Sequence, residues 1–468
     1  MLKQFLKHSS IYIASSFLTR GLGFILLPIL TRYLAPSDYG VIDLINITGL
    51  GVLIFFGIES YQGIARFIGS YDEIGKQALF SSVIIFLSIS YAIFFVFAIL
   101  FKNIICAFFY SGIPIGLYIL IIFSYFFQAL INQSQTTLSY DINPKKSIII
   151  TFCVALFLIF FNCIFVIFLK LGLNGAILAI FSSNLLGACV AYLCTKKYFS
   201  YKEANFEIVK KVLKFSFPLA ISAFFTLMLL YIDRVSIKFF LGVNSVGIFS
   251  VAYRLASIIS IVMVGIQGAL GPLIYRNVND PNSIKQLALL FEKFMVIASC
   301  FILSLELFAP ELIIIFTSEA YHYASSVVRI LVPAVIISYM YIFFPGMNIN
   351  KKTNVIMKIN IISAIINLFL NIILIHYFKI AGSATATLIS YSIFLGLFIY
   401  NSQKIYYIPI RTKLIIRQLM TCLILSLFGL LLNNSLSVIN VVIKCIVLVI
   451  FLSFCFTSKP NLGYKTCN

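Results

Sequence analysis

Apolar residues run through this chain in stretches of about 20, the length of helix that crosses a hydrocarbon core of roughly 30 Å. In the first part they fall at 11–31, 41–62, 80–100, 114–133, 148–169 and 173–195. In the middle they fall at 215–237, 246–272, 290–308, 326–346, 358–378 and 380–400, and two more follow at 413–431 and 437–457. The pattern predicts an all-α polytopic membrane protein of about fourteen transmembrane helices. The pairs 148–169/173–195 and 358–378/380–400 have very short links and are expected to be tight helical hairpins. The longest polar connection, about 196–214, is too short to hold a soluble core. The first span carries Arg20 and lacks a small-residue cleavage site, so it is expected to act as an uncleaved first helix.

Composition agrees with this pattern. Hydrophobic residues make up 62% of the chain and charged residues only 10%, against about a quarter charged in a soluble domain. So little polar surface cannot cover so much apolar matter, and the bilayer must act as solvent for most side chains. The formal net charge of +20 would suggest nucleic acid in a soluble protein. Here the cations sit in alternate loops. With the N-terminus inside, cytoplasmic segments hold 24 of the 34 Lys and Arg, among them Lys3, Lys7, Lys145, Lys146, Lys351, Lys352, six between Lys196 and Lys214, and four between Lys404 and Arg417. The opposite side holds five, Arg32, Lys102, Lys170, Lys238 and Lys379, and five more lie within spans. This asymmetry places both termini in the cytoplasm and removes any need for a nucleic-acid partner. The ten Cys lie in or beside apolar spans, Cys467 excepted, without metal-ligand spacing, and read as small buried hydrophobes. Trp is absent, so Tyr33, Tyr39, Tyr110 and Tyr406 are the candidates for an interfacial aromatic belt.

The chain also matches itself at an offset of 207 positions. Leu6-Lys7 falls on Leu213-Lys214, Ser9 on Ser216, Tyr33-Leu34 on Phe240-Leu241, and Gly40-Val41 on Gly247-Ile248. Far downstream, Ile142-Asn143 falls on Ile349-Asn350, Lys145 on Lys352, Gly175 on Gly382, Ala179 on Ala386 and Ser183 on Ser390. A repeat of six spans is even, so both copies enter the membrane in the same direction. The expected organisation is a six-helix bundle over 1–207, a parallel six-helix bundle over 208–412 facing it across a central cavity, and two further helices with a cytoplasmic tail over 413–468. Rocking of one bundle against the other would open that cavity to each side in turn, which is a transporter's architecture.

A charge near the bilayer centre costs roughly 2.5–3.5 kcal/mol on insertion scales and usually faces a cavity or a partner. The candidates are Arg20, Glu59, Asp233, Arg234, Arg254, Glu306, Arg329 and Lys444, with Arg66 just past the second span. Arg20 and Arg254 lie deepest. A guanidinium fork suits a phosphate or diphosphate; the alternative is an ion pair with Glu59, Asp233 or Glu306 that only holds helices together. Asp233 and Arg234 are about 100° apart on a helix and cannot point the same way. Arg329 near a span end and Lys444 in the last span read as snorkelling or helix-contact residues, with substrate contact the other role open to Arg329. Asn367 and Asn371 share a helix face, where interhelical hydrogen bonding competes with substrate contact. Pro28, Pro218, Pro272, Pro333 and Pro345 can kink spans and free carbonyls. No GxxxxGK[ST] loop is present. Direct ATP drive is therefore not expected, nor is any cofactor, and Glu59, Asp233 and Glu306 remain as carboxylates for proton or sodium coupling.

At this point a family resemblance appears. Arg20, Gly23-Phe24, Pro28, Thr31-Arg32-Tyr33-Leu34 and Asp38-Tyr39-Gly40 resemble the opening of the polysaccharide-transporter family, part of the superfamily that also holds multidrug exporters and lipid II flippases. Phe56-Gly57-Ile58 with Ala65-Arg66-Phe67 is similar to its second helix, and Asp233-Arg234-Val235, Phe240-Leu241-Gly242 and Val246 through Arg254 to its seventh and eighth. Ser363-Ala364, Asn367, Asn371 and Ala384 through Thr387 resemble its eleventh and twelfth. The likeness covers roughly residues 1–400. It implies an O-antigen-type flippase of the inner membrane, not an enzyme, that moves an undecaprenyl-diphosphate-linked oligosaccharide to the periplasmic leaflet. Its partners would be the lipid-linked substrate, the bilayer, and polymerase and chain-length machinery. The candidate substrate contacts are Arg20, Arg66, Arg234, Arg254, Arg329 and Asn367, of which Arg20 also matches an arginine of the lipid II flippase opening. Leu26 stands where the lipid II flippase opening has a second arginine, which argues against lipid II itself as the substrate. A drug exporter generally favours an acidic cavity, and a membrane polymerase carries a large periplasmic loop; neither feature is present here.

Overall fold

The computed structural model describes residues 21, 24–109, 113–141, 144–260, 262–263, 266, 281–350, 352–431 and 438–457. Expectations resting on Lys3, Lys7, Arg20, Gly23, Tyr110, Ile142-Asn143, Pro272, Lys351 and Cys467 lie outside these residues. Among the described residues the secondary structure is helical throughout, without strands. The helices are α1 (Phe24–Tyr33), α2 (Pro36–Gly57), α3 (Ser60–Phe67), α4 (Glu73–Leu100), α5 (Lys102–Phe109), α6 (Ile115–Tyr140), α7 (Pro144–Asn162) and α8 (Gly172–Thr195). They continue as α9 (Phe206–Leu241), α10 (Val243–Ala256), α11 (Pro281–Phe316), α12 (Ala324–Tyr339), α13 (Thr353–Gln403), α14 (Thr412–Leu431) and α15 (Val438–Thr457). Each of the fourteen expected spans has a helix here, those at 11–31 and 246–272 only over their described parts.

Both expected hairpins form, by different local means. Helix α7 loosens into a π-turn over Cys163–Phe168. The chain then reverses through Lys170 and Gly172, both at positive φ (52° and 56°), and Gly175 comes so close to the Phe165 carbonyl that a Cβ would lie 2.7 Å from it. The second reversal sits inside α13 at Lys379 (φ 52°, ψ −131°), where a Cβ on Gly382 would lie 2.0 Å from the Leu374 carbonyl. Glycine is needed at 175 and 382 for backbone approach.

The second span departs from expectation. It does not run unbroken through residue 62: α2 stops at Gly57, and Ile58 and Glu59 are both left-handed (φ 49° and 51°) before α3 resumes. Two adjacent non-glycine residues in that region cost about 1–2 kcal/mol each. Hydrogen bonds offset part of this. The Ile58 amide still reaches Ile54 O at 3.1 Å, the Ser90 hydroxyl donates to Phe56 O at 2.7 Å, and Gln62 Nε2 donates to the Glu59 carboxylate.

Two compact units are present, one comprising Met1–Val251 and Asn360–Ser383, the other Ala252–Ile359 and Ala384–Asn468. In the first unit, α6 is the central helix. Tyr118 OH donates to Ala98 O of α4 (2.7 Å), and Tyr125 OH donates to Ile45 O of α2 (2.8 Å), its ring packed on Gly49. Gly187 of α8 sits where a Cβ would meet Val154 of α7 at 2.5 Å. Gln135 Nε2 to Thr151 Oγ1 at 2.9 Å ties α6 to α7. Small residues and short polar bonds at helix contacts are what packing in lipid requires, since apolar burial drives no association there. Of the belt candidates Tyr33 is exposed, whereas Tyr39 is buried and belongs to the core instead.

A polar lock closes one end of the first unit. Asp141, the C-cap of α6, takes Lys76 Nζ of α4 at 2.8 Å and Lys197 Nζ at 3.8 Å, and accepts from Tyr198 OH. Burial alone would raise the Asp141 carboxyl, but the bonds from Lys76 and Tyr198 and the two ammonium charges hold it below the usual carboxylate range. A carboxyl depressed by folding stabilises above its unfolded pKa and loses that contribution as pH falls through its folded one. Asp141→Asn is therefore expected to lower the thermal midpoint at pH 7. The gap to wild type should shrink when melting is repeated below about pH 4; a gap independent of pH would remove the charge from the account.

The second unit is built on α11, with α12, α14 and α15 against it. Phe291 and Phe294 of α11 pack on Phe343, with ring centroids 5.3 and 4.9 Å apart. Ser402 Oγ donates to Phe344 O (2.7 Å) and accepts from the Gly346 amide (2.8 Å). Cys422 of α14 donates to Ser299 O of α11 at 3.5 Å.

Candidate functional site

Residues one repeat length apart touch each other in the first unit. Helices α2 and α10 meet at their first turns, where Gly40 and Gly247, separated by 207 positions, stack backbone on backbone. A Cβ at Gly40 would lie 2.3 Å from Val243 O, and one at Gly247 would lie 1.8 Å from Pro36 O. Val243 is itself 207 positions after Pro36, so the two clashes mirror each other. One turn further along, Ser250 Oγ donates to Asp43 Oδ2 at 2.6 Å, again across 207 positions.

Arg234 sits beside this contact. It is buried, its Nε lies 3.7 Å from Asp43 Oδ2, and its Nη1 donates to Leu230 O at 2.9 Å. The guanidinium lies 5.0 Å from the Phe249 ring centroid and 5.3 Å from that of Tyr231, a range in which a cation is attracted to the ring faces. Asp233 faces away, as the 100° helical step demands. It is fully buried and accepts from Asn371 Nδ2 at 2.9 Å. Asn371 also bonds Asn367 O at 3.0 Å, and its Oδ1 accepts from Ser383 Oγ at 2.6 Å. The result is a buried polar cluster with Asn371 at its centre, bonded to Asp233, Asn367 and Ser383, that joins α9 to both limbs of the α13 hairpin. Asn367 Nδ2 has no hydrogen-bond partner.

In the second unit, Arg329 and Glu306 are brought together through the backbone. Pro310 lies within α11 and has no N–H, so the carbonyl four residues earlier, that of Glu306, is released. Arg329 Nε donates to that carbonyl at 3.1 Å. The Glu306 carboxylate bonds Ser426 of α14. One turn along α11, Glu311 pairs with Lys444 of α15 at 2.5 Å, both buried. Lys444 thus makes a helix contact and does not snorkel. Asp43 and Glu311 join Glu59, Asp233 and Glu306 as carboxylates within or beside spans. Asp43 stands one repeat before Ser250, and Pro310 stands four residues after Glu306; both signals were in the sequence.

The other expected site residues are placed as follows. Arg254 is half-buried in the last turn of α10, where the helix ends in a turn at Ser257 that bonds Arg254 O (2.8 Å). Glu59 is buried at the α2–α3 break. Arg66 is exposed on α3. Arg20 lies outside the described residues. A cavity of about 570 Å³ opens beside the Asp233–Asn371 bond, walled by α2, α9 and α13. Among the described residues no cluster of three metal-ligating side chains occurs.

Comparison with known proteins now adds the family. No curated protein matches this chain. The fold is shared with solved structures, of which three are given. The lipid II flippase MurJ, in an inward closed conformation, has a TM-score of 0.74 at 16% identity over 95% of this chain and 98% of its own. An inward-facing multidrug resistance MATE family transporter of the MOP superfamily has 0.68 at 16%, over 85% and 97%. A MOP superfamily transporter from Pyrococcus furiosus has 0.60 at 17%, over 85% and 95%. The MatE family matches residues 218–373. The family described as polysaccharide biosynthesis protein matches residues 5–278, more than half of the 468. This multi-pass membrane chain, with the fold of the MOP superfamily, belongs to the polysaccharide biosynthesis protein family.

Proposed function

We propose that this chain is a flippase that carries an undecaprenyl-diphosphate-linked oligosaccharide, an O-antigen or similar repeat unit, from the cytoplasmic to the periplasmic leaflet. The observation that carries the reading is the conjunction of a polysaccharide-biosynthesis family match with a fold like that of a flippase for a lipid-linked precursor. Both termini lie in the cytoplasm of a bacterial inner membrane, and the two six-helix repeats are the bodies that alternate access. Arg20 and Arg254 bind the diphosphate; Arg66 and Asn367 are the remaining substrate candidates. Arg234 and Arg329 act through Asp43 and the Glu306 carbonyl, so their part is to position helices. Asp233 is the coupling carboxylate, since a buried acid held by an amide exchanges a proton or a sodium ion at little structural cost; Glu59 and Glu306 are the others. A polymerase and chain-length machinery take up the product.

The test uses cells lacking the gene and complemented with variants at equal membrane levels. Arg254→Ala is expected to cut surface polysaccharide about tenfold or more, as loss of a charge-assisted contact does, with lipid-linked repeat units held on the cytoplasmic face. Asp233→Asn is expected to bind substrate but lose dependence on the ion gradient. Normal polysaccharide in cells lacking the gene sinks the proposal. The MatE match favours one second reading, a multidrug or cation exporter; raised drug susceptibility with unchanged polysaccharide would install it.

A further inference from the structure

The cavity beside Asp233 has a chemistry that the diphosphate site does not use. Its volume of about 570 Å³ falls within the roughly 300–1,000 Å³ of small-ligand sites. Its walls are Leu44 of α2, Met228 and Ile232 of α9, and Leu368 and Ile372 of α13; Ser236 and Lys238 are its only polar lining side chains among the described residues. Leu368 and Ile372 are themselves partly exposed, so the groove is open at its side as well as apolar within. Lys238 lies near the α9 terminus, among the cations assigned to the periplasmic side.

We propose that this groove receives the polyprenyl chain of the lipid-linked substrate after it has crossed, with Lys238 holding the phosphate end in the outer leaflet. The inference rests on the flippase reading. One apolar groove with one cation in its lining suits a single-chain anionic amphiphile, whereas a phospholipid would leave one of its two acyl chains outside. The groove is also wired to the polar cluster behind it. Leu368 and Ile372 each directly follow Asn367 and Asn371, and Ile232 directly precedes Asp233. The two asparagines form one stripe of α13, and the two groove residues form the next, about 100° round the helix. A chain that parts α9 from α13 therefore loads the 2.9 Å Asp233–Asn371 bond, so product occupancy and coupling-ion occupancy share one helix contact.

The absence of Trp from the chain supplies the test. Leu368→Trp, with Phe239→Trp as a second variant should the first fail to fold, places one fluorophore at the groove in the full-length protein in nanodiscs. Dibrominated phosphatidylglycerol quenches it, and undecaprenyl diphosphate is titrated in. Relief of quenching is expected at the groove but not at Ile93→Trp, a lipid-facing position on α4. Adding Lys238→Gln is expected to shift the midpoint about tenfold, and undecaprenol, which lacks the anion, is expected to compete as weakly. If labelled undecaprenyl diphosphate binds the wild-type protein yet groove quenching is unchanged, or is relieved equally at Ile93→Trp, the groove proposal is overturned and the flippase reading stands. If nothing binds, both fall.

Discussion

Gly247→Ala is expected to inactivate the protein and to lower its melting temperature in detergent. The added Cβ would sit 1.8 Å from Pro36 O. That neighbour is backbone, and no rotamer change relieves the clash; α2 and α10 must separate. Overpacking of this kind costs about 3 kcal/mol, and separation also draws Ser250 from Asp43 and so disturbs Arg234. Gly40→Ala meets Val243 O at 2.3 Å and should behave alike. Because either change opens the same contact, the double variant should be little worse than the singles, a strongly non-additive cycle. Gly116→Ala and Gly396→Ala, which meet nothing within 4 Å, are the controls. Melting curves and complementation measure all five. Additive losses, or wild-type behaviour of Gly247→Ala, would mean that the close crossing is not maintained.

The second large effect concerns α15. Lys444→Met leaves the buried Glu311 carboxylate of α11 without its cation. Breaking one partner of a buried pair typically costs about 3–5 kcal/mol, while replacing both by apolar groups is often neutral. Lys444→Met is thus expected to release α15 from α11, seen as faster proteolysis near the C-terminus and a broadened size-exclusion peak. Lys444→Met combined with Glu311→Leu is expected to restore the peak. Failure of the double variant to recover would assign Lys444 a role other than neutralising Glu311.

Much of the fold was legible because the bilayer imposes one rule, that apolar runs of about 20 residues become helices. Spans and both hairpins followed from run length and link length alone. The break at Ile58–Glu59 was hidden, since Gly57 is its one local signal, a lone glycine inside an apolar run is tolerated in a helix, and the two left-handed residues after it are not glycine. Charges were harder. Asp233 and Arg234 announced themselves by depth, but their partners did not. Asp43 stands in the first turn of a span and looks like a loop acid; Glu311 stands just past the expected end of another. Depth along a helix is written in sequence, while the partner across the contact is written in packing. The Arg329–Glu306 link shows this most sharply: the bond goes to a carbonyl freed by a proline, which no charge-pairing rule would seek.

The contact of position 40 with 247 and of 43 with 250 has the form of an isologous interface, in which the same patch meets itself across a two-fold axis. In one chain that form is kept by two different residues at the second place, an acid facing a hydroxyl. Acid facing acid at this place would repel, whereas acid facing hydroxyl bonds at 2.6 Å. The single carboxylate is then left to serve Arg234 as well, 3.7 Å away, so one unlike pair both closes the crossing and anchors the cation beside it.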